Sequence, residues 1–381
     1  MAPAPRSDKR MGLSDRETVL PEPPTGEASG TNAFIPDSAA DGSREPLQVL
    51  EQKQANAESR EWAVWVKGLT REYTTRNFFG GVTRSTWALS GIDFQIAYGE
   101  LFGLIGPNGA GKTTTIKILT TLLTPTGGDA LILGLDVRKD LYEIRRRIGI
   151  VFGGERGLYN RVSAVDNLRY FSDLYGVDPG VARKRIPQLL EVVGLAGREK
   201  ERVEKYSRGM KQRLHIAKAL VHDPELIFLD EPTIGLDPAG ARDIRNMVRD
   251  LKAQGKTILL TTHYMFEAEE LCQRVGVISK GKIVALDTPS ELKNMVRDIS
   301  VIDLRTYGAT MDYVEALRAL PNVVRVVADL ESEQQSIRIQ TPLGADLLPK
   351  VVAALPEGAK IIDRTIKEPT LEDAYLRLVE E

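Results

Sequence analysis

Glu100-Leu-Phe-Gly-Leu-Ile-Gly106-Pro-Asn-Gly-Ala-Gly-Lys112-Thr113 is the stretch whose reading decides the fold. Its first half is a continuous apolar run, as suits a strand buried on both faces of a sheet. Its second half satisfies the spacing G-x-x-x-x-G-K-[ST]. The glycines let the backbone wrap with its N–H groups pointing inward, and the helix expected over Lys112–Leu123 turns its positive N-terminal end to the same space. Such a turn holds phosphate. The candidate set is Gly106, Pro107, Asn108, Gly109, Ala110, Gly111, Lys112, Thr113 and Thr114. Lys112 can reach β- and γ-phosphates, and the Thr113 hydroxyl can ligate Mg²⁺. Composition alone would produce this pattern in roughly one chain in a hundred of this length. Its place between a strand and a helix makes chance a poor account.

Working outward, Ile148–Phe152, Leu226–Asp230 and Thr257–Thr262 read as further buried strands. Helices are expected over Val165–Tyr175, Val181–Val193 and Ser207–Val221. Strands alternating with helices imply an α/β fold whose sheet is largely parallel, with a helical insertion in the middle. Upstream, Glu61–Lys67 is a short strand, Thr74–Thr86 a turn-rich segment and Ala88–Ile96 a second strand. Downstream of Pro289 the pattern is strand (Ser300–Arg305), helix (Met311–Leu320), strand (Val323–Leu330), strand (Ser336–Gln340), helix (Asp346–Leu355), strand (Lys360–Ile366) and a closing helix (Thr370–Glu380). This βαββαβ order predicts a small ferredoxin-like α+β domain. It contains no catalytic constellation, so packing, dimer contacts or regulation are its expected work. Met1 to Ser59 carries seven of the 20 prolines and no periodic apolar pattern; a disordered leader is expected there. The organisation expected is therefore a leader (1–59), a nucleotide-binding domain (60–288, with a helical subdomain at about 156–222) and a C-terminal accessory domain (289–381).

Composition excludes several classes. Hydrophobic residues are 42% and charged residues 27%, enough to build a sizeable core. Lys+Arg 51 against Asp+Glu 53 leaves a net charge of -2, so the chain does not wrap nucleic acid by bulk charge. Cys272 is the only cysteine, which rules out an internal disulfide and a cysteine-built zinc site. No stretch reaches the 18 or so consecutive apolar residues of a membrane helix.

A phosphate loop needs an acidic partner. Asp230 ends a hydrophobic strand, where it can hold a Mg²⁺ shell, and adjacent Glu231 can polarise an attacking water. Thr261-Thr262-His263 ends the next buried strand, at the side where open α/β sheets build their ligand crevices. A γ-phosphate contact is the functional reading of His263; a packed, hydrogen-bonded histidine is the plain alternative. His215 and His222 read as solvated or capping residues. Tyr206-Ser207-Arg208-Gly209-Met210-Lys211-Gln212-Arg213 opens a helix, so Ser207 and Gly209 offer a second anion-binding helix end. Head-to-tail pairing of two molecules would let one chain's Gly106–Thr113 turn and the other's Ser207–Gly209 turn share each nucleotide.

Over Trp62 to Leu286 this set resembles the ATPase subunit of an ABC transporter. GPNGAGKT is similar to the Walker A motif, YSRGMKQR to the signature motif and LIFLDEP to the Walker B motif; Gly235-Leu-Asp237 resembles the D-loop and His263 the switch histidine. The resemblance implies a RecA-like P-loop NTPase core with an antiparallel β subdomain, ATP and Mg²⁺ as cofactors, Glu231 as general base, and metal ligation by Thr113 and Asp230. It implies that Lys112 and His263 serve catalysis, that Ser207 with Gly209 grips the partner's γ-phosphate, and that Asp237 belongs to the nucleotide-binding set. Tyr73 matches the residue on which adenine stacks, with Phe78 or Phe79 as competitors. Two departures stand out. Arg208 and Met210 replace a glycine and a glutamine of the usual signature, and Gly153-Gly154-Glu155-Arg156 stands where the Q-loop glutamine is usual.

The closing run from Glu368 to Leu378 resembles the tail of bacterial drug, antibiotic and lipid exporters. The expected protein is a peripheral ATPase at the cytoplasmic face of the membrane, paired with a second ATPase subunit (homodimer or heterodimer) and a separately encoded permease, with no nucleic-acid partner. A non-transport ABC ATPase acting on ribosomes or nucleic acid is the alternative. It would call for a second cassette or a long coiled coil, and a small-molecule kinase would leave YSRGMKQR without a purpose.

Overall fold

The computed structural model describes residues 61–76, 82–153, 157–296, 298–332, 335–342 and 347–380. The expected leader, Phe78, Phe79, Gly154, Glu155 and Arg156 lie outside them. Fourteen strands and eleven helices are named among the described residues.

The chain begins with a long hairpin, β1 (Trp62–Arg76) and β2 (Val82–Ala97), paired antiparallel. Tyr73 opposes Thr86 and Thr74 opposes Ser85, which corrects the turn-rich reading of 74–86. Thr74, Thr75, Val82 and Thr86 are β-branched residues that suit strands, and cross-strand pairing carries Arg76 and Arg84 with them. After β3 (Leu101–Ile105) and α1 (Lys112–Leu119), β4 (Gly127–Ile132) and β5 (Leu135–Asp136) complete a sheet in the order β2-β1-β4-β5. Helix α1 stops four residues earlier than expected: Thr120 caps it and Thr121 adopts φ 61.

Next come α2 (Leu141–Arg147), β6 (Ile148–Phe152), α3 (Ala164–Leu174), α4 (Pro179–Val192) and α5 (Arg208–Leu220). They are followed by β7 (Leu226–Asp230), α6 (Pro238–Ala253), β8 (Thr257–Thr262), α7 (Met265–Leu271), β9 (Arg274–Ser279), β10 (Lys282–Asp287) and α8 (Pro289–Asn294). The six-stranded sheet runs β10-β9-β3-β8-β7-β6, parallel except for the β9–β10 pair. Alternate residues of its central strands feed two cores. Leu101, Ile105, Ile227, Leu229, Ile258 and Leu260 point to the helical side, while Phe102, Leu104, Leu226, Phe228 and Leu259 point to α1 and the antiparallel sheet. Burial on both faces is why these strands read as unbroken apolar runs.

The C-terminal stretch forms β11 (Ile299–Tyr307), α9 (Met311–Arg318), β12 (Arg325–Asp329), β13 (Gln335–Pro342), α10 (Leu348–Ala353), β14 (Lys360–Lys367) and α11 (Leu371–Glu380). Its sheet order β12-β13-β11-β14, antiparallel throughout, is the ferredoxin-like arrangement the element order predicts. Ile302, Leu304, Val314, Leu317, Ile337 and Ile339 make a separate core beneath α9 and α10. Helix α11 packs elsewhere: Leu371 and Tyr375 join the core of the helical side, with Ala268, Cys272 and Leu292. Thr370 and Asp373 form a capping box at its start, Thr370 N–H and hydroxyl donating to Asp373 Oδ2 at 2.8 and 2.7 Å. A buried bond from Gln340 Nε2 to Asp373 Oδ1 (2.8 Å) fastens the small sheet to this helix.

Candidate functional site: a phosphate loop meeting two acidic strand ends

The loop after β3 has glycine where nothing else fits. A Cβ on Gly106 would lie 2.2 Å from the Ile278 carbonyl oxygen, and Gly111 caps α1 at φ 117. The turn after β9 buttresses the loop, with Gly281 N–H donating to Ala110 O at 3.0 Å. Lys112, 4% exposed, is the first residue of α1. Its Nζ donates to Gly106 O (2.7 Å) and Pro107 O (3.2 Å) and stands 3.3 Å from Glu231 Oε1.

Strands β7 and β8, adjacent and parallel, deliver the acids and their supports. Asp230 is buried at the end of β7; its Oδ2 accepts from Thr113 Oγ1 at 3.0 Å and its Oδ1 from Thr261 Oγ1 at 2.5 Å. Burial pushes this carboxyl above the ordinary aspartate range. Glu231 nearby works in the same direction, and the two hydroxyls and Lys112 offset only part of it. Glu231 follows at φ 50, a left-handed conformation costing a non-glycine residue on the order of 1–3 kcal/mol. Its N–H is anchored on Thr261 O at 3.0 Å, and its carboxylate lies between Lys112 and His263, whose Nδ1 is 3.3 Å from Oε2. Lys112, Thr113, Asp230, Glu231 and His263 thus form one chain of contacts at the carboxyl ends of β3, β7 and β8. Thr261 is the member sequence reasoning missed; a hydroxyl directly after the apolar run Ile258-Leu259-Leu260, at the strand's carboxyl end, was the available signal.

Two hard oxygen donors 3.0 Å apart, one of them a buried acid that its hydroxyl partners do not neutralise, suit Mg²⁺, which takes one or two protein oxygens and completes its shell with water and phosphate. Among the described residues no group of three or more His, Cys, Asp or Glu forms a metal cage.

The remaining candidates lie apart from this chain of contacts. Ser207 caps α5, its Oγ accepting from Met210 N–H at 3.3 Å, and a Cβ on Gly209 would meet nothing within 4 Å. Asp237 occupies the N-cap position of α6 without a side-chain capping bond, followed by Pro238 in the first turn. Tyr73 stands 42% exposed on β1 with the Arg71 guanidinium 5.0 Å from its ring centre. Gly153, just after β6, is crowded: a Cβ there would approach the Asp230 and Glu231 carbonyl oxygens to 3.1 Å. The two other histidines correct the expectation. His215 is 2% exposed inside α5, and His222 stacks on Tyr175 at 3.9 Å with Nε2 2.9 Å from Ile148 O. Burial lowers the pKa of His222.

A phosphate loop, an acid at the end of a neighbouring parallel strand and a second acid beside it define a P-loop ATPase. Comparison with known proteins agrees. Residues 89–234 match the ABC transporter family model. The linearmycin resistance ATP-binding protein LnrL of Bacillus subtilis is 36% identical over 76% of this chain and 93% of its own length. The daunorubicin resistance ATP-binding protein DrrA2 of Streptomyces coeruleorubidus is 39% identical over 76% and 90%. Nod factor export ATP-binding protein I of Cupriavidus pinatubonensis is 36% identical over 77% and 86%. Among solved structures, cbiO1 of Clostridium perfringens, part of an ABC transporter complex, superposes with a TM-score of 0.54 at 28% identity over 62% of this chain and 94% of its own. A dimeric ATP-binding cassette bound to ADP and Pi superposes with a TM-score of 0.53 at 26% identity over 59% and 98%. The chain belongs to the ABC transporter family and is one of its ATP-binding, ATP-hydrolysing subunits.

Proposed function

We propose that this subunit hydrolyses ATP with Glu231 as general base and drives a separately encoded permease that exports a drug, antibiotic, lipid or similar compound. The observation that carries the chemistry is the contact chain from Lys112 through Glu231 to His263, with Thr113 and Asp230 beside it. The loop N–H groups and Lys112 bind the β- and γ-phosphates, and Thr113 and Asp230 hold Mg²⁺. The metal supplies charge neutralisation on the phosphate oxygens. Glu231 orients and deprotonates the attacking water, while His263 fixes that carboxylate and contacts the γ-phosphate. Tyr73 stacks on adenine. Ser207, Gly209 and Asp237 meet the partner subunit's nucleotide in a head-to-tail dimer, supported by the dimeric form of a structural relative. The export direction rests on relatives named for drug resistance and export. The transport path is assigned to that permease, with the subunit docked on it at the membrane's cytoplasmic face; no helix among the described residues is long and apolar enough to cross a membrane. The domain organisation proposed is the nucleotide-binding domain at 60–288 and the accessory domain at 289–381.

Glu231→Gln tests the reading. It should lower kcat by a factor of about 10²–10⁴ while ATP still binds, and in Mg-ATP the variant should run as a dimer on size-exclusion chromatography. A variant that turns over ATP normally, or stays monomeric at saturating Mg-ATP, refutes it.

A further inference from the structure

The arginine that sets Tyr206-Ser207-Arg208-Gly209 apart from the usual signature has a definite seat in the fold. A Cβ on Gly235 would lie 2.2 Å from Arg208 Nη1, 2.3 Å from Cζ and 2.5 Å from Nη2. Three guanidinium atoms at nearly equal distance mean that the planar group lies face-on over the Gly235 backbone. A weakly hydrated, flat cation packs well on a bare peptide surface, and only glycine leaves that surface bare. Gly235 itself has φ 68, so a side chain there would be strained by conformation and would have to displace the Arg208 guanidinium.

What lies on either side of the contact gives it meaning. Arg208 is the first residue of α5, directly after the capping Ser207. Gly235 lies in the loop that leaves Glu231, folded by bonds from Ile234 N–H to Glu231 O (3.2 Å) and from Leu236 N–H to Thr233 O (3.1 Å). That loop ends at Asp237, at the N-cap position of α6. One side chain therefore bridges the signature turn and the loop that follows the proposed general base.

We propose that Arg208 is a positioning residue for ATP hydrolysis: its guanidinium, seated on Gly235, makes the Ser207–Gly209 turn and the Glu231–Asp237 loop one mechanical unit. The inference rests on the head-to-tail dimer proposed above. There, the signature turn grips the partner's nucleotide while Glu231 serves the chain's own. A tie between them makes closure on one nucleotide set the geometry of the base at the other. A glycine at 208, as in the usual signature, would leave this tie unmade.

A double-mutant cycle on the full-length protein tests it, with steady-state ATPase kinetics as the readout. Gly235→Ala should lower kcat about tenfold with KM for ATP unchanged within about twofold. In the Arg208→Gly background the same substitution should cost at least about threefold less, a coupling usual for contacting residues. The conformational cost of alanine at φ 68 is common to both backgrounds and cancels. Equal factors in the two backgrounds overturn the proposal. If Gly235→Ala fails to fold, Arg208→Gly and Arg208→Lys carry the test. Both should lower kcat with KM and Tm unchanged, because lysine keeps the charge and loses the plane; wild-type kcat in either overturns the proposal. Dimerisation of Glu231→Gln in Mg-ATP checks the underlying arrangement separately. Its failure removes the dimer reading without altering whether 208 and 235 are coupled, so the two failures are told apart.

Discussion

Asp230 and Asp303 both sit on strands and both are drawn from water, yet they end on opposite sides of the ordinary aspartate range. Burial raises Asp230, and its hydrogen-bond donors, Thr261 and Thr113, are neutral hydroxyls that offset only part of the shift. Burial also works to raise Asp303, but Arg338 at 2.9 Å and Lys367 at 3.0 Å outweigh it and hold that carboxyl low. A carboxylate supplied with cations by its own fold is a structural group. One that is buried with hydroxyls and only partly compensated by positive charge has the chemistry to take up a cation. The comparison separates the nucleotide site from the C-terminal sheet without reference to any motif.

Breaking the nucleotide site should give the largest effects. Lys112→Ala removes the cation that ties the loop to Glu231 and should weaken ATP binding about 30-fold or more, as loss of one partner from a buried charged pair does. An unchanged Kd in an equilibrium titration would refute its assignment. Leu371→Ala strikes a C-terminal residue that belongs to the core on the helical side of the six-stranded sheet. It should destabilise by about 2–5 kcal/mol in denaturant unfolding; a cost below 1 kcal/mol would show that α11 is a peripheral strap. Asp303→Ala should cost at most about 1 kcal/mol, because its partners are partly exposed and screened, and leave KM for ATP unchanged.

Asp230→Asn sharpens the comparison by sign. A raised carboxyl pKa penalises the folded state, a penalty absent below the ordinary value of 3.8 and complete above the raised one. The metal-free variant should therefore unfold at a higher temperature than wild type at pH 7, with the gain fading as pH falls toward 4. Asp303→Asn should do the reverse, since its low carboxyl contributes stability above its ordinary range that is lost on acidification. The same sign for both in calorimetric scans would dissolve the distinction drawn here.

Legibility in the sequence followed local and repeated signals. Strands β3, β7 and β8 are apolar on both faces and stood out; the βαββαβ order of the C-terminal stretch was readable from alternating runs. Helix α6 has its buried residues at Ile244, Met247, Val248 and Leu251, a helical spacing that the sequence displays. Strand β4 had no comparable signal: it is defined by pairing Ile132 with Val64, about seventy residues away, and pairing partners leave no mark in a short run of six.

The sequence by itself determined the phosphate loop, its acidic partners and hence the class of chemistry, because each depends on a few residues at fixed short spacing beside a strand or a helix end. Tertiary structure alone decided what those residues lean on. That Thr261 supports Asp230, that Gly281 braces the loop and that Arg208 rests on Gly235 are contacts between segments remote in the chain. It also decided that the last helix joins the core beside the six-stranded sheet, since hydrophobic burial depends on area and proximity and is indifferent to chain order.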